Sequence, residues 1–387
     1  MNKAEINMKI VLVAPFVSEP NYKRLQAKLN ISNPGQKFYM LLYKGLLKNN
    51  VCTKVFSIVP KEFEPYIEKD DFEYYFIRKK RFGFINIDGA SDELARMIDK
   101  DTIIIADGEA YWTLVVSLKQ KCRVINLITD FPHHVASYSS SNKKRGIVYR
   151  KIYQLYAKYY KLYRFKKADG FIFLTKYMSE VIGKSKPFVV IEGFTDSDYL
   201  PRDKTQEDME TRTICYLGAL NDKSGIMNLI EAFKRIKDDD LQLNIYGSGV
   251  YVDSIKHCDD ERVHYMGVVS LEEVEKVERD SNYLINPRPS KDDYNKYSFP
   301  SKTLEYMLSG TPVITTKLAG IPDEYDDYLF YLDDSSIEEM STNLQQILNL
   351  PVADLATRAK AAQQFAFESK NNIVQAKKII DFVSGFR

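Results

Sequence analysis

The sequence is poor in cysteine and lacks any long apolar run. Its four cysteines are scattered without the spacing of metal ligands: Cys52, Cys122, Cys215 and Cys258. They lie in or beside apolar runs, where reduced cysteine behaves as a small hydrophobe, which favours a reducing cytoplasm. No stretch approaches the roughly 20 apolar residues that a membrane-spanning helix needs. The short run Ile10–Phe16 is predicted to be a buried strand rather than a signal peptide.

The net charge is small, +2, but the charges are unevenly distributed. Residues 1–200 hold 33 Lys and Arg against 21 Asp and Glu, whereas residues 201–387 hold 22 against 32. Such asymmetry indicates either a basic surface for anionic lipid, phosphate or nucleic acid, or a basic half that complements an acidic one.

The excess positive charge is concentrated in residues 143–167, which contain ten Lys or Arg and no acid. Six tyrosines and Phe165 are interleaved with these charges, which predicts a basic amphipathic helix. Tyrosine and lysine together suit a lipid headgroup layer, so we interpret the segment as a helix that docks on an anionic membrane surface. The alternative is an ordinary helix whose tyrosine face packs on a sheet. No recognition motif accompanies the charges, so nucleic acid is not predicted as a partner.

Short apolar runs rich in β-branched residues alternate with helix-like stretches, and this alternation predicts parallel sheets. The predicted strands are residues 9–14, 102–106, 123–129, 170–174 and 188–192 in the first half, and 213–217, 241–246, 263–266, 283–286 and 312–315 in the second. The predicted helices include 34–48, with Asn33 as its cap and Pro34 in its first turn, 226–236 and 301–308.

The length exceeds what one hydrophobic core usually supports, so two domains are expected. The polar segment 196–204 separates the two alternations and is the predicted linker. We therefore expect domains at 1–195 and 196–367, with a final amphipathic stretch, Val352–Phe386, long enough for 368–387 to pack back on the first domain. The predicted fold class is α/β, with two Rossmann-like, doubly wound domains facing a central cleft.

The most informative segment, residues 286–314, predicts a strand, a loop, a helix, a glycine stop and a strand. Pro300 suits a first helical turn, whose free N–H groups favour an anion such as a diphosphate, and Lys302 adds a mobile positive charge. Glu305 shares the helix face of Ser301 and Lys302 and can accept two hydrogen bonds from ribose hydroxyls. Each feature alone also fits an ordinary surface helix with Gly310 as its C-cap.

Taken together, this segment closely resembles the donor-binding signature of family-4 glycosyltransferases of the GT-B fold, particularly bacterial capsule and exopolysaccharide enzymes. The resemblance extends in family order to residues 216–220, 225–233, 245–249 and 319–325. It implies a hexosyltransferase that moves a sugar from a nucleoside-diphosphate sugar, with a UDP-sugar favoured, to a hydroxyl of a lipid-linked glycan. It also implies retention of configuration, no cofactor and no essential metal. The cysteines predict a cytoplasmic location, and the basic segment 143–167 predicts that the protein is peripheral on the inner face of the cell membrane.

The resemblance implies roles for individual residues. Glycines around Gly218 and Gly247 admit the diphosphate, the Gly267 region contacts the base and Glu305 holds the ribose. The candidates for neutralising the diphosphate are Lys223, Arg288 and Lys302, and the donor loop adds Ser298, Phe299 and Ser301. A dinucleotide-binding fingerprint is absent, because no third glycine follows Gly247-Ser248-Gly249 at the required place.

Two departures from the family pattern leave alternatives open. Tyr297 stands where the family has a glutamate that contacts the donor sugar, so the identity of the sugar does not follow from the resemblance. Ala219 replaces an arginine, and the lysine usually found near Gly225 is displaced to Lys223. The alternatives are a nucleotide-sugar 2-epimerase and a non-catalytic partner subunit that kept the fold.

The acceptor side is less explicit. Gly35 lies between the first strand and the first helix, where the family places a glycine-containing loop facing the donor. Asp130 follows a strand end and is the candidate base or hydrogen-bond acceptor for the acceptor hydroxyl, with His133 or His134 assisting. An Asp-x-Pro turn with solvated histidines explains the same residues equally well. No third ligand is spaced with the two histidines, so a metal site is not predicted.

Overall fold

The structure is a computed structural model. It describes residues 8–29, 34–77, 90–107, 121–130, 155, 167–182, 186–201, 204 and 212–386. The chain divides into two units, Met1–Phe194 with Asn372–Arg387, and Thr195–Asn371. None of the described helices is both long enough and apolar enough to span a membrane.

Seven parallel strands form the sheet of the first unit, in the order β3-β2-β1-β4-β5-β6-β7. Residues 10–14 and 103–106 are buried in nearly continuous apolar runs, as expected for strands covered on both faces. The strands are β1 (Lys9–Ala14), β2 (Cys52–Pro60), β3 (Phe72–Ile77), β4 (Thr102–Asp107), β5 (Arg123–Ile128), β6 (Gly170–Phe173) and β7 (Phe188–Val190).

The described helices of the first unit include two that pack together on one face of this sheet, α2 and α11. A Cβ atom at Gly45 of α2 would lie 2.1 Å from the backbone oxygen of Asn372, so only glycine permits this approach. The helices are α1 (Glu19–Leu29), α2 (Pro34–Lys48), α3 (Ala90–Ala95), α4 (Met178–Ile182) and α11 (Asn372–Ser384).

The second unit contains a six-stranded parallel sheet in the order β10-β9-β8-β11-β12-β13. Its strands are β8 (Arg212–Leu217), β9 (Leu241–Tyr246), β10 (Val263–Gly267), β11 (Tyr283–Asn286), β12 (Val313–Thr316) and β13 (Phe330–Leu332). Its helices are α5 (Ile226–Phe233), α6 (Val252–Lys256), α7 (Leu271–Asp280), α8 (Lys302–Leu308), α9 (Ile337–Leu348) and α10 (Val352–Ser369). The two parallel sheets with their covering helices confirm the predicted α/β fold class.

The C-terminal stretch, expected as one amphipathic segment over 352–386, is broken into α10 and α11. Lys370 leaves the helical conformation with φ −117° and ψ 7°. Asn371 forms an isolated parallel bridge with Thr195, and its side chain donates a 2.7 Å hydrogen bond to the carbonyl of Phe367. The break therefore lies where the chain leaves the second unit and returns to the first.

Candidate functional site

A cavity of about 330 Å³ lies in the second unit at the carboxyl ends of β8 and β11, beside the start of α8. Open parallel sheets bind ligands at this edge. Three segments line the cavity: Tyr216, Ala219, Asn221, Lys223 and Ser224; Asn286 and Arg288; and Ser298, Phe299, Pro300, Ser301 and Lys302. The structure thus brings together the three cations that the sequence analysis singled out, Lys223, Arg288 and Lys302.

Two glycine turns bring bare backbone to this edge of the sheet. Gly247 has φ +135°, and a Cβ atom there would lie 1.8 Å from the backbone oxygen of Gly218. A Cβ atom at Gly218 would lie 2.6 Å from the Tyr216 hydroxyl oxygen and 3.3 Å from the Lys302 Nζ. Position 247 therefore requires glycine, whereas a side chain at position 218 would displace the ends of the Tyr216 and Lys302 side chains.

Lys302 is held in place and is not the mobile surface charge expected from the sequence. Its Nζ donates a hydrogen bond to the backbone oxygen of Leu217, the last residue of β8. Burial lowers the pKa of the Lys302 ammonium, and the nearby carboxylates of Glu305 and Glu278 oppose that shift. The sequence predicted a mobile side chain because the contact between Lys302 and Leu217 joins two segments that are 85 residues apart, which local sequence patterns do not reveal.

The Tyr306 hydroxyl also holds the end of β8 in place. The sequence analysis did not assign a role to this residue. Its hydroxyl oxygen accepts a 3.2 Å hydrogen bond from the Leu217 N–H and lies 3.2 Å from the Leu217 carbonyl oxygen, to which it donates. The side chain is fully buried, and burial raises its pKa well above the ordinary value. The signal that could have found it is its spacing, because residue 306 follows Lys302 by one helical turn.

Arg288 is fixed by the loop that follows β11. Its guanidinium carbon lies 5.3 Å from the centre of the Tyr294 ring, and its carbonyl accepts a hydrogen bond from the Thr316 hydroxyl. Gly225 has φ +70°, and a Cβ atom there would lie 2.0 Å from the carbonyl oxygen of Pro287. The turn that carries Lys223 therefore packs directly on the loop that carries Arg288.

The remaining donor-site candidates differ in how far their side chains are exposed to solvent. Phe299 is buried with its ring 5.5 Å from the ring of Tyr325, while Ser301 is exposed at the start of α8. Ser298 and Glu305 are half-buried, and Glu305 lies on α8 beyond the lining residues of the cavity. Helix α8 is only seven residues long, and the N–H of Thr303 already donates to the carbonyl of Pro300 over 2.8 Å.

Gly267 ends β10 at the same carboxyl edge of the sheet. It has φ +85°, and a Cβ atom there would have no heavy atom within 4 Å. Its carbonyl accepts a 2.8 Å hydrogen bond from the Gly247 N–H. Gly218 follows β8, Gly247 follows β9 and Gly267 ends β10, and these three strands are neighbours in the sheet.

Residues 211–349 match the family model described as glycosyl transferases group 1. This segment is a glycosyltransferase group 1 domain. The match includes the entire cavity lining, from Tyr216 to Lys302. No curated protein matches the chain.

Solved structures share the fold of this chain, two of them over nearly its whole length. Sucrose-phosphate synthase from Thermosynechococcus elongatus aligns with a TM-score of 0.67 at 14% identity, over 98% of this chain and 99% of that chain. Anabaena HepE, in complex with UDP and glucose, aligns with 0.63 at 13% identity, over 98% and 100%. S. aureus TarM, in complex with Fondaparinux, alpha-GlcNAc-glycerol and UDP, aligns with 0.56 at 16% identity, over 76% and 57%. The whole chain therefore shares the fold of these enzymes, and its residues 211–349 match the glycosyl transferases group 1 model.

The structure describes only part of the predicted acceptor side, which lies in the first unit. Asp130 is exposed just after β5, and Gly35 lies in the first turn of α2. The next residue, Gln36, is buried; its side chain accepts a 3.0 Å hydrogen bond from the Val17 N–H and donates one of 2.6 Å to the Val17 carbonyl. Asn33, His133, His134 and most of the basic segment 143–167 lie outside the described residues.

Asp107, the last residue of β4, is a carboxylate of this unit that the sequence analysis missed. Burial raises its pKa to about 7; a hydrogen bond with the Tyr39 side chain opposes the shift, and the charge of Asp130 adds to it. The signal was present, because Asp107 directly follows the predicted strand 102–106 and parallel strands present their carboxyl ends at one edge. Asp107 and Asp130 follow adjacent strands at that edge.

Proposed function

We propose that this glycosyltransferase moves a sugar from a nucleoside-diphosphate sugar, with a UDP-sugar favoured, to a hydroxyl group of a glycan. The observation that supports the proposal most strongly is the convergence of Lys223, Arg288 and Lys302 on one cavity beside the bare backbone of Gly218. Three cationic side chains in a cavity of about 330 Å³ suit a diphosphate.

The chemistry of glycosyl transfer gives these cations a role. When the bond between the sugar and the diphosphate breaks, negative charge develops on the departing phosphate oxygens, and fixed positive groups stabilise that charge in the transition state. Lys302 is already positioned by Leu217, so little reorganisation is needed as the charge develops. Because burial disfavours its ammonium form, Lys302 gains more from a bound anion than an exposed lysine does.

The nucleoside half of the donor is assigned to the neighbouring residues. Glu305, on the helix that begins with Lys302, accepts hydrogen bonds from the ribose hydroxyls, and Gly267 lies beside the base. HepE and TarM, both in complexes with UDP, are structures of the same fold and support the choice of a uridine nucleotide.

The acceptor side is proposed from the family resemblance of the sequence and from the chemistry of its side chains. Asp130, with His133, orients the acceptor hydroxyl, and the basic aromatic segment 143–167 brings the enzyme to an anionic membrane where a lipid-linked glycan is available. The resemblance supports a role in polysaccharide biosynthesis with retention of configuration, and the basic segment 143–167 supports a location at the inner face of the cell membrane.

A panel of nucleotide sugars tests the proposal, with hydrolysis, transfer and thermal stabilisation measured for each donor. We expect one UDP-sugar to be turned over and Glu305→Ala to weaken its binding by about 10-fold or more, as for loss of a charged hydrogen bond. Glu338→Ala, an exposed glutamate of α9, is the matched control. Unchanged turnover in Glu305→Ala contradicts the ribose assignment, and stabilisation without turnover by any donor favours a non-catalytic subunit.

A further inference from the structure

Lys370 is a buried lysine in the second unit whose side chain is only 1% exposed. Its Nζ lies 2.6 Å from the Glu324 carboxylate oxygen, 5.0 Å from the centre of the Tyr325 ring and 5.2 Å from that of Phe365. Removing an ammonium group from water is costly unless it is paired and well oriented. The carboxylate and two aromatic faces therefore fix the ammonium group of Lys370 in one place.

Glu324, Tyr325 and Phe365 form a cage around the ammonium group of Lys370. One of them, Tyr325, contacts a residue that lines the candidate donor cavity. The ring of Tyr325 is fully buried, and its centre lies 5.5 Å from that of Phe299, which lines the cavity. A second contact joins the same two segments, because a Cβ atom at Gly320 would lie 2.2 Å from the carbonyl oxygen of Ser298. Residues 320–325 thus form the layer behind Ser298 and Phe299.

The backbone of Lys370 lies at the place where the chain passes between the two units. The N–H of Thr195 donates a 2.9 Å hydrogen bond to the Lys370 carbonyl, and the Thr195 hydroxyl donates one of 2.7 Å to the carbonyl of Ala366. Thr195 also forms a parallel bridge with Asn371. The two passages of the chain, 194–195 and 371–372, are therefore hydrogen-bonded to each other through residues of the second unit.

We propose that Lys370 is a positioning residue that couples the donor cavity to the hydrogen bond between Thr195 and Lys370, where the two connecting segments 194–195 and 371–372 meet. The inference rests on the proposed function, because it takes the ligand of the cavity to be a nucleoside diphosphate. A ligand that fixes Phe299 also fixes Tyr325, and the cage then holds Lys370, whose carbonyl binds Thr195. Close-packed side chains transmit such restraint because they have few alternative arrangements. Occupation of the cavity should therefore strengthen the Thr195–Lys370 hydrogen bond.

Exchange of the Thr195 amide with deuterium, with and without UDP, tests the coupling. In the wild-type protein we expect saturating UDP to slow exchange by at least about fivefold, as local opening becomes rarer. Lys370→Met should still bind UDP, measured by calorimetry, but lose most of that slowing. Lys370→Arg should restore part of it, because the charge is kept. Lys377→Met, which breaks an exposed ion pair with Asp381 on α11, should behave like the wild type.

The outcomes separate this inference from the proposed function. Absence of UDP binding by the wild type contradicts the proposed function and the inference with it. UDP binding without slower Thr195 exchange contradicts the coupling alone, and full slowing in Lys370→Met contradicts the role of Lys370. If Lys370→Met does not fold, Glu324→Gln replaces it, since this variant keeps the backbone of Lys370 and removes the charge of its partner. Full slowing in Glu324→Gln likewise contradicts the inference.

Discussion

The ammonium of Lys302 donates a hydrogen bond to the backbone carbonyl of Leu217, 85 residues earlier in the chain. This bond joins the start of α8 to the end of β8 and sets a positive charge beside Gly218. The diphosphate site that we propose depends on this arrangement, because the charge is in place before any ligand binds.

Lys302→Met should weaken UDP binding by about 10- to 100-fold, corresponding to the ~1.5–3 kcal/mol of a charged hydrogen bond. Binding of uridine, which has no phosphate, should change little. Calorimetric titration of both ligands measures the difference. Lys317→Met, which removes an exposed lysine paired with Asp326, is the control. An equal loss for uridine and UDP would show that Lys302 acts on the nucleoside or on the fold rather than on the diphosphate.

Tyr306→Phe should lower the free energy of unfolding by about 1–3 kcal/mol, because it leaves the buried N–H and carbonyl of Leu217 without the hydroxyl partner. Urea unfolding measures the change. Tyr328→Phe is the matched control, since this half-buried ring stacks on Phe365, and it should change the free energy of unfolding by less than about 0.5 kcal/mol. Equal effects of the two substitutions would contradict the role given to the Tyr306 hydroxyl.

Gly247→Ala should destabilise the protein more than Gly267→Ala. Both residues have positive φ, which costs roughly 1–3 kcal/mol for a residue with a side chain. At Gly247 the new Cβ would also lie 1.8 Å from the Gly218 carbonyl oxygen, whereas at Gly267 it meets nothing within 4 Å. Thermal and urea unfolding of both variants compare the two costs. A smaller loss of stability at position 247 would contradict the close contact between the two turns.

Stability should depend on pH through Asp107. Its folded-state pKa is about 7, above the ordinary value of 3.8, so the folded protein retains a proton that the unfolded chain has lost between these values. The free energy of unfolding should therefore fall as pH rises from about 4 to about 7, by at most ~1.4 kcal/mol per pH unit for one proton, and then level off.

In Asp107→Asn this contribution should vanish, whereas Asp101→Asn, an exposed residue just before the same strand, should keep it. Urea unfolding between pH 4 and 8 measures the slope, and an unchanged slope in Asp107→Asn would contradict the assignment.

Most of the two sheets could be predicted from local sequence patterns. All ten predicted strands are present, and several of them, such as β4 with its run Ile103–Ile105, are buried on both faces and continuously apolar. Two of the three strands that were missed contain polar residues: Lys54 and Ser57 interrupt β2, and β3 lies at the edge of its sheet with mixed polarity. The third, β13, has only three residues, and length alone does not explain the miss because β7 is equally short.

The candidate site could be predicted only in part. Reasoning from the sequence named Lys223, Arg288 and Lys302 as candidates for neutralising the diphosphate, and the structure places all three at one cavity. The inward orientation of Lys302, the role of Tyr306 at Leu217 and the burial of Lys370 depend on contacts between distant segments. Periodicity places residue 306 one helical turn after Lys302, but it contains no information about contacts with distant segments, so these contacts required the structure.

A crystal structure of the protein with UDP is the most direct test of the diphosphate site. The account predicts that the two phosphate groups lie in the cavity of the second unit, within hydrogen-bonding distance of Lys302 and of Lys223 or Arg288, and that the ribose hydroxyls face Glu305. Electron density for UDP at another place, or phosphates that contact none of the three cations, would contradict it.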